Sequence, residues 1–182
     1  MTKSKGLTLV ELLISTSIAV VVGGLLLTIL ANSSGLFYKE SSKVSIGLNT
    51  NDALAKVRSS IKESSGVEDT SGSNTLVLKV PSLDKSNNII ANAFDYFIFF
   101  RDENKLRFKI FPNEASFRKI QDQIFSTDVN RLTFNYLNSS NPPAEVAPKD
   151  ATKVRISLTL KQKSGTDYET STAVSEANLR NK

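Results

Sequence analysis

Lys3-Ser4-Lys5-Gly6-Leu7-Thr8-Leu9-Val10-Glu11-Leu12-Leu13-Ile14 leads into an apolar run that lasts to Ala31, and the reading of the whole chain turns on this stretch. Lys3, Lys5 and Glu11 carry its only charges. At about 1.5 Å of rise per residue, Leu12–Ala31 makes a helix about 30 Å long, the thickness of a bilayer's hydrocarbon core. A helix satisfies its own backbone in lipid, and the hydroxyls of Ser15, Thr16, Ser17 and Thr28 are expected to return to carbonyls one turn back. The lysines lie before the run, and the next basic residue is Lys39. That bias predicts a single-pass segment in the cytoplasmic membrane, with its N-terminus inside and the remaining chain outside.

The rest of the composition fits a soluble domain attached to this segment. The chain has 182 residues, 40% of them apolar and 23% charged. Its mean hydropathy of −0.16 hides the crowding of apolar residues toward one end. This length accommodates one sizeable domain plus a long helix. With no cysteine and no histidine, disulfides, thiol chemistry, imidazole bases and the commonest zinc ligands are excluded. The formal charge of +5 is spread along the strands rather than gathered in a block, a pattern that argues against nucleic-acid binding.

An ordinary signal anchor, or a secretory signal cut near Ala31-Asn32-Ser33-Ser34-Gly35, also fits the hydropathy. Glu11 weighs against both. A carboxylate this far into an apolar stretch costs at least ~2.5 kcal/mol on insertion scales unless a partner neutralises it, and the nearest candidate cation is a free α-amine. Gly6-Leu7-Thr8-Leu9-Val10-Glu11-Leu12-Leu13-Ile14, after its short basic leader, resembles the cleavage and methylation motif shared by type IV pilins and the pseudopilins of type II secretion systems. The resemblance covers residues 1 to about 35. It implies processing by a prepilin peptidase between Gly6 and Leu7 and N-methylation of Leu7. It also implies assembly through Glu11, which would neutralise the N-terminal amine of a neighbouring subunit. Implied partners are the peptidase, other pilin or pseudopilin subunits and the membrane. Many members carry a proline about two-thirds of the way along this helix, whereas here the region reads Gly23-Gly24-Leu25. The glycine pair either weakens the helix locally or allows close helix packing.

From Leu36 to Glu63 the composition stays helical, with Phe37, Val44 and Leu48 on one apolar stripe and Leu54, Val57 and Ile61 on another, rotated around the axis. Ser64-Ser65-Gly66 is the expected stop. The period then changes to two. Strands are expected over Thr75–Val80 (ended by Pro81), Phe94–Arg101 (apolar on both faces), around Leu106, Phe108 and Ile110, around Leu132, Phe134 and Tyr136, over Val154–Leu160, and over Tyr168–Val174. Asp102-Glu103-Asn104 predicts a hairpin turn, Phe117, Ile120, Ile124 and Phe125 a short helix, and Asn138–Pro148 a loop. The fold class is therefore α+β: a long N-terminal helix packed on an antiparallel sheet domain. Its parts are a leader (1–6), a membrane and assembly half-helix (7–35), an amphipathic half-helix (36–65) and a β-rich extracytoplasmic domain (66–182).

Asp95, Asp102, Glu103, Glu114, Asp122 and Asp128 are scattered without calcium-loop spacing, and Asp167 and Glu169 flank a tyrosine after a turn. Phosphate-cradling glycine loops and nucleophile elbows are absent from the sequence. The run Tyr96-Phe97-Ile98-Phe99-Phe100 reads as core rather than as a sugar or base platform. The expectation is a structural subunit rather than an enzyme, with no catalytic, cofactor or metal residues. Its size and its lack of a disulfide resemble a minor pilin or a J-class minor pseudopilin. The rival is a membrane-tethered DNA-binding or adhesive receptor.

Overall fold

The computed structural model describes residues 8–164 and 167–180. Helix α1 runs Leu9–Glu63 without a break, through both Gly23-Gly24 and Asn32-Ser33-Ser34-Gly35. Its chain divides between two compact units, 1–41 and 42–182.

In the first unit α1 is apolar and exposed on all sides, and it includes a segment long and apolar enough to cross a membrane. The hydroxyls behave as helix chemistry requires: Ser15 donates to the Glu11 carbonyl, Thr16 to Leu12, Ser17 to Leu13, and Thr28 to Gly24, at 2.7–3.0 Å. Apart from the neighbouring turns of the helix backbone itself, none of the described residues lies within 4 Å of where a Cβ would stand on Gly23 or Gly24.

In the second unit α1 packs on antiparallel strands. Ile46, Thr50, Ala53, Leu54, Val57 and Ile61 recur every three or four residues and are buried on one face. Phe37, Val44 and Leu48 are 72%, 62% and 64% exposed, so only the second of the two expected stripes faces the core. The geometry accounts for the split: Val44 and Leu48 each stand two residues from Ile46, about 200° around the helix. At the end of α1, Ser64 turns its hydroxyl onto the Ile61 carbonyl, and Ser65 N–H donates to the Lys79 carbonyl.

Five strands, β1 (Gly66–Val67), β2 (Thr75–Leu83), β3 (Ile89–Asp102), β4 (Lys105–Phe111) and β5 (Gln121–Ser126), form one sheet in that order. A second sheet holds β6 (Val129–Leu137), β7 (Lys153–Ser164) and β8 (Asp167–Asn178), also in order. One core joins the buried α1 face to Leu76, Leu78, Phe97, Phe99 and Phe108 of the first sheet and to Phe134, Ile156 and Leu158 of the second. Phe99 and Phe108 stack with ring centroids 4.7 Å apart.

Two expectations need correction. The segment around Phe117 and Ile120 is irregular, and Ile124 and Phe125 lie in strand β5, paired to β4. A helix is prevented there because Asp95 takes the Asn113 N–H, the Ser116 hydroxyl and the Arg118 guanidinium, which wraps residues 113–118 around one carboxylate. Pro81 does not end β2: pairing with β3 continues through Pro81↔Phe94 and shifts register before Leu83. A proline is tolerated at such an irregularity because the ladder has already lost its regular hydrogen bonds. The expectation that β3 is apolar on both faces holds, although only one face is fully buried. Asp95, Phe97 and Phe99 point inward, while Phe94 and Phe100 on the other face lie under the ammoniums of Lys79 (4.5 Å) and Lys109 (5.5 Å).

Candidate functional site

Gly6 and Leu7, the expected processing and methylation positions, lie outside the described residues. Glu11 already has a local partner in Thr8. Thr8 N–H donates to Glu11 Oε2 at 2.9 Å, Thr8 Oγ1 lies 3.0 Å from the same oxygen, and Glu11 N–H returns to Thr8 Oγ1 at 3.3 Å. This is the reciprocal arrangement of a capping box, in which a Thr and the Glu three residues on each satisfy a backbone donor that the first helical turn leaves unpaired. The acid also sits where the helix dipole favours negative charge. Reading Glu11 only as a carboxylate in want of a cation missed this role. The Thr8-Leu9-Val10-Glu11 spacing was the signal for it.

Past Glu11, α1 presents Leu12, Leu13, Ile14, Ile18, Val21, Leu25 and Ile29 to the outside, each more than half exposed. Among the described residues no side chain covers this apolar surface, and Phe37 and Tyr38 extend it at ring centroids 6.4 Å apart. Its chemistry suits the hydrocarbon of a membrane.

In the second unit Asp95, Asp102 and Asp122, three of the acids named from sequence, are held in ion pairs. Arg107 bridges Asp102 at 2.8 Å and Asp122 at 2.7 Å, and Lys109 lies 3.4 Å from Asp122. Desolvation works to raise the Asp122 carboxyl, but the hydrogen bond from Arg107 and the charges of Arg107 and Lys109 outweigh it and hold the group below its usual range. Glu176 takes Arg155 at 2.7 Å and Lys153 at 3.5 Å. Much of the basic surface on the strands is thus neutralised by neighbouring acids. Asp95 differs in being fully buried. Ser82 Oγ donates to it at 2.7 Å, Asn113 N–H and Ser116 Oγ at 2.9 Å, and Arg118 Nη1 at 2.7 Å, while Arg118 also donates to the Pro81 carbonyl. Burial pushes the Asp95 carboxyl up, yet Arg118, the Asn113 N–H and the two hydroxyls carry it below the ordinary value. With every acceptor position engaged, it works as a structural clamp on the 113–118 loop.

Among the described residues no three metal-ligating acids gather, and Asp167 and Glu169 stand at the start of β8. The clefts are shallow and open. The one between α1 and the β5–β6 turn is bordered by Asn49, Asp52, Lys56, Phe125 and Asp128, with no convergent set of reactive groups. No protein-family model and no curated protein matches the chain.

Proposed function

We propose that the chain is a structural subunit of a type IV pilus or pseudopilus, most like a minor pilin or J-class minor pseudopilin. In this reading it is cut by a prepilin peptidase between Gly6 and Leu7, N-methylated on Leu7 and inserted once in the cytoplasmic membrane. Its sheet domain then lies outside, and the subunit is drawn into the filament by helix packing. The observation that carries the reading is Gly6-Leu7-Thr8-Leu9-Val10-Glu11 standing at the head of an apolar helix, after a leader with Lys3 and Lys5. The all-round apolar exposure of α1 before Ser41 supports it, because such a surface needs lipid first and neighbouring helices later. In the filament a neighbour's N-terminal ammonium neutralises Glu11 and sets the axial stagger, at a depth where an unpaired carboxylate is costly.

Co-expression with a prepilin peptidase, followed by mass measurement of the N-terminus, tests the processing. The expected product begins at Leu7 and carries one added methyl group. An uncut chain, or one cut after Ala31 or Ser34, would falsify the reading. Glu11→Ala is expected to be cleaved and inserted normally but to be lost from sheared filaments.

A further inference from the structure

The sheets have four edges, and three are guarded against pairing with another strand. β1 is two residues long. β5 has six residues, a register shift against β4 and Asp122 in its row. β6 is partly capped, since Phe134 N–H donates to the Ser73 carbonyl and Val146 N–H to the Tyr136 carbonyl, and its own pairing with β7 is irregular near Val129. β8 is different. It pairs with β7 through all twelve residues with no shift of register, and no described strand lies on its other side. It contains no proline, glycine, lysine or arginine, and its acids, Asp167, Glu169 and Glu176, stand toward its two ends and leave the middle of the edge without a charge. Thr170-Ser171-Thr172-Ala173-Val174-Ser175 in its middle is uncharged and small, and Tyr168, Thr170, Thr172, Val174 and Glu176 line its exposed face.

We infer that β8 is an interaction edge, and that its partner is β8 of a second copy of this chain, added antiparallel about a two-fold axis at Thr172. Charge and face alternation favour this register over full overlap. Full overlap of all twelve residues would set Glu169 against Glu176 and oppose the outer face of one sheet to the inner face of the other, because side chains alternate with period two. Centring on Thr172 keeps outer against outer. Thr170 then faces Val174, Ser171 faces Ala173, and Tyr168 faces Glu176. The Tyr168 ring already carries the Lys161 ammonium 4.5 Å from its centroid, so each Glu176 arrives beside a cation. The product is one continuous six-stranded sheet, with the backbone groups of both edges satisfied.

Because the chain has no cysteine, single introduced thiols report the pairing in the full-length protein in its membrane. Opposed Cα atoms of an antiparallel pair lie about 4.5–5.5 Å apart, inside the range a disulfide spans, so Thr172→Cys is expected to form a dithiothreitol-sensitive dimer on mild oxidation. Ser157→Cys, opposite Val174 on β7, stands three strand spacings, about 14 Å, across the sheet from its mate and about 13 Å along the strands, and serves as the uncross-linked control. Differently tagged Thr170→Cys and Val174→Cys chains should cross-link to each other, and adding Thr172→Lys to both should abolish it by placing two ammoniums on the axis. A Thr172→Cys yield no higher than that of Ser157→Cys overturns the inference. The cross-link is expected to survive Glu11→Ala, which separates this edge from filament assembly. Its loss in that background would refute an independent pair.

Discussion

Replacing Arg118 by methionine removes the cation from Asp95 while keeping most of the side chain's apolar bulk. Asp95 has no exposed side-chain surface, and Arg118 keeps only 21% of its own. Breaking such a pair by deleting one partner costs ~3–5 kcal/mol, because the remaining charge stays buried. Ser82, Ser116 and the Asn113 N–H still hold the carboxylate, so about 3 kcal/mol is the expected loss. Urea unfolding of residues 42–182, whose core is drawn from Ile46 to Leu179, provides the measurement. The pH dependence adds a second arm. The folded Asp95 carboxyl lies below its unfolded value of about 3.9, so the stabilisation is fully present above that value and is lost as pH falls through it toward the folded value. The gap between wild type and Asp95→Asn should therefore be constant above about pH 5 and narrow below about pH 4. The Asp95→Asn, Arg118→Met double variant should cost less than the sum of the two single changes. A loss under about 1 kcal/mol for Arg118→Met at neutral pH, the range of an exposed pair, would refute the clamp.

Tyr136 donates its hydroxyl to the Gly72 carbonyl at 2.8 Å, and burial pushes its phenol up to about 12. In an alkaline absorbance titration one of the four tyrosines should therefore ionise late, and wild type should lose stability relative to Tyr136→Phe as pH rises from about 10 toward about 12. Leu48→Asp should change the unfolding free energy of residues 42–182 by no more than ~0.5 kcal/mol. Val57→Asp, a charge at a fully buried position, should prevent folding, as circular dichroism would register. Thr8→Ala should cost the start of α1 about 1 kcal/mol, seen as faster amide exchange over Leu9–Leu12, while Glu11 remains in place for the proposed assembly.

Periodicity made most of the fold legible. The alternation of Val154, Ile156, Leu158 and Leu160 reads as a strand from either end, and the structure extends it only to Lys153–Ser164. Turn chemistry fixed the hairpin after Asp102, where Glu103 adopts a φ of 53°. What stayed illegible depends on partners distant in sequence. Phe117, Ile120, Ile124 and Phe125 have helical spacing, but Asp95, about twenty residues earlier, takes the donors of the segment, and Arg107 and Lys109 draw Asp122 into a strand. Neither the burial of Asp95 nor its sharing among four donors can be read from an acid that local sequence places between Phe94 and Tyr96. The two α1 stripes were visible, but only the packed domain distinguishes Val57, buried, from Leu48, exposed.

The capping box changes what Glu11 has to give up in the proposed filament. An isolated carboxylate in an apolar helix would gain everything from a neighbour's ammonium, whereas this one already accepts from Thr8 through both backbone and side chain. A capping interaction is worth about 1 kcal/mol, and an unpaired acid at membrane depth costs at least ~2.5 kcal/mol. The cap therefore offsets only part of the penalty, and the larger remainder still favours an ammonium. A carboxylate has about four acceptor positions, so an arriving amine need not displace Thr8. The same acid can thus set where the helix begins in a single subunit and hold an ammonium between subunits. Thr8→Ala and Glu11→Ala separate these roles: loss of filament incorporation in both would assign Glu11 to the helix start alone, and loss only in Glu11→Ala would leave the assembly role with the charge.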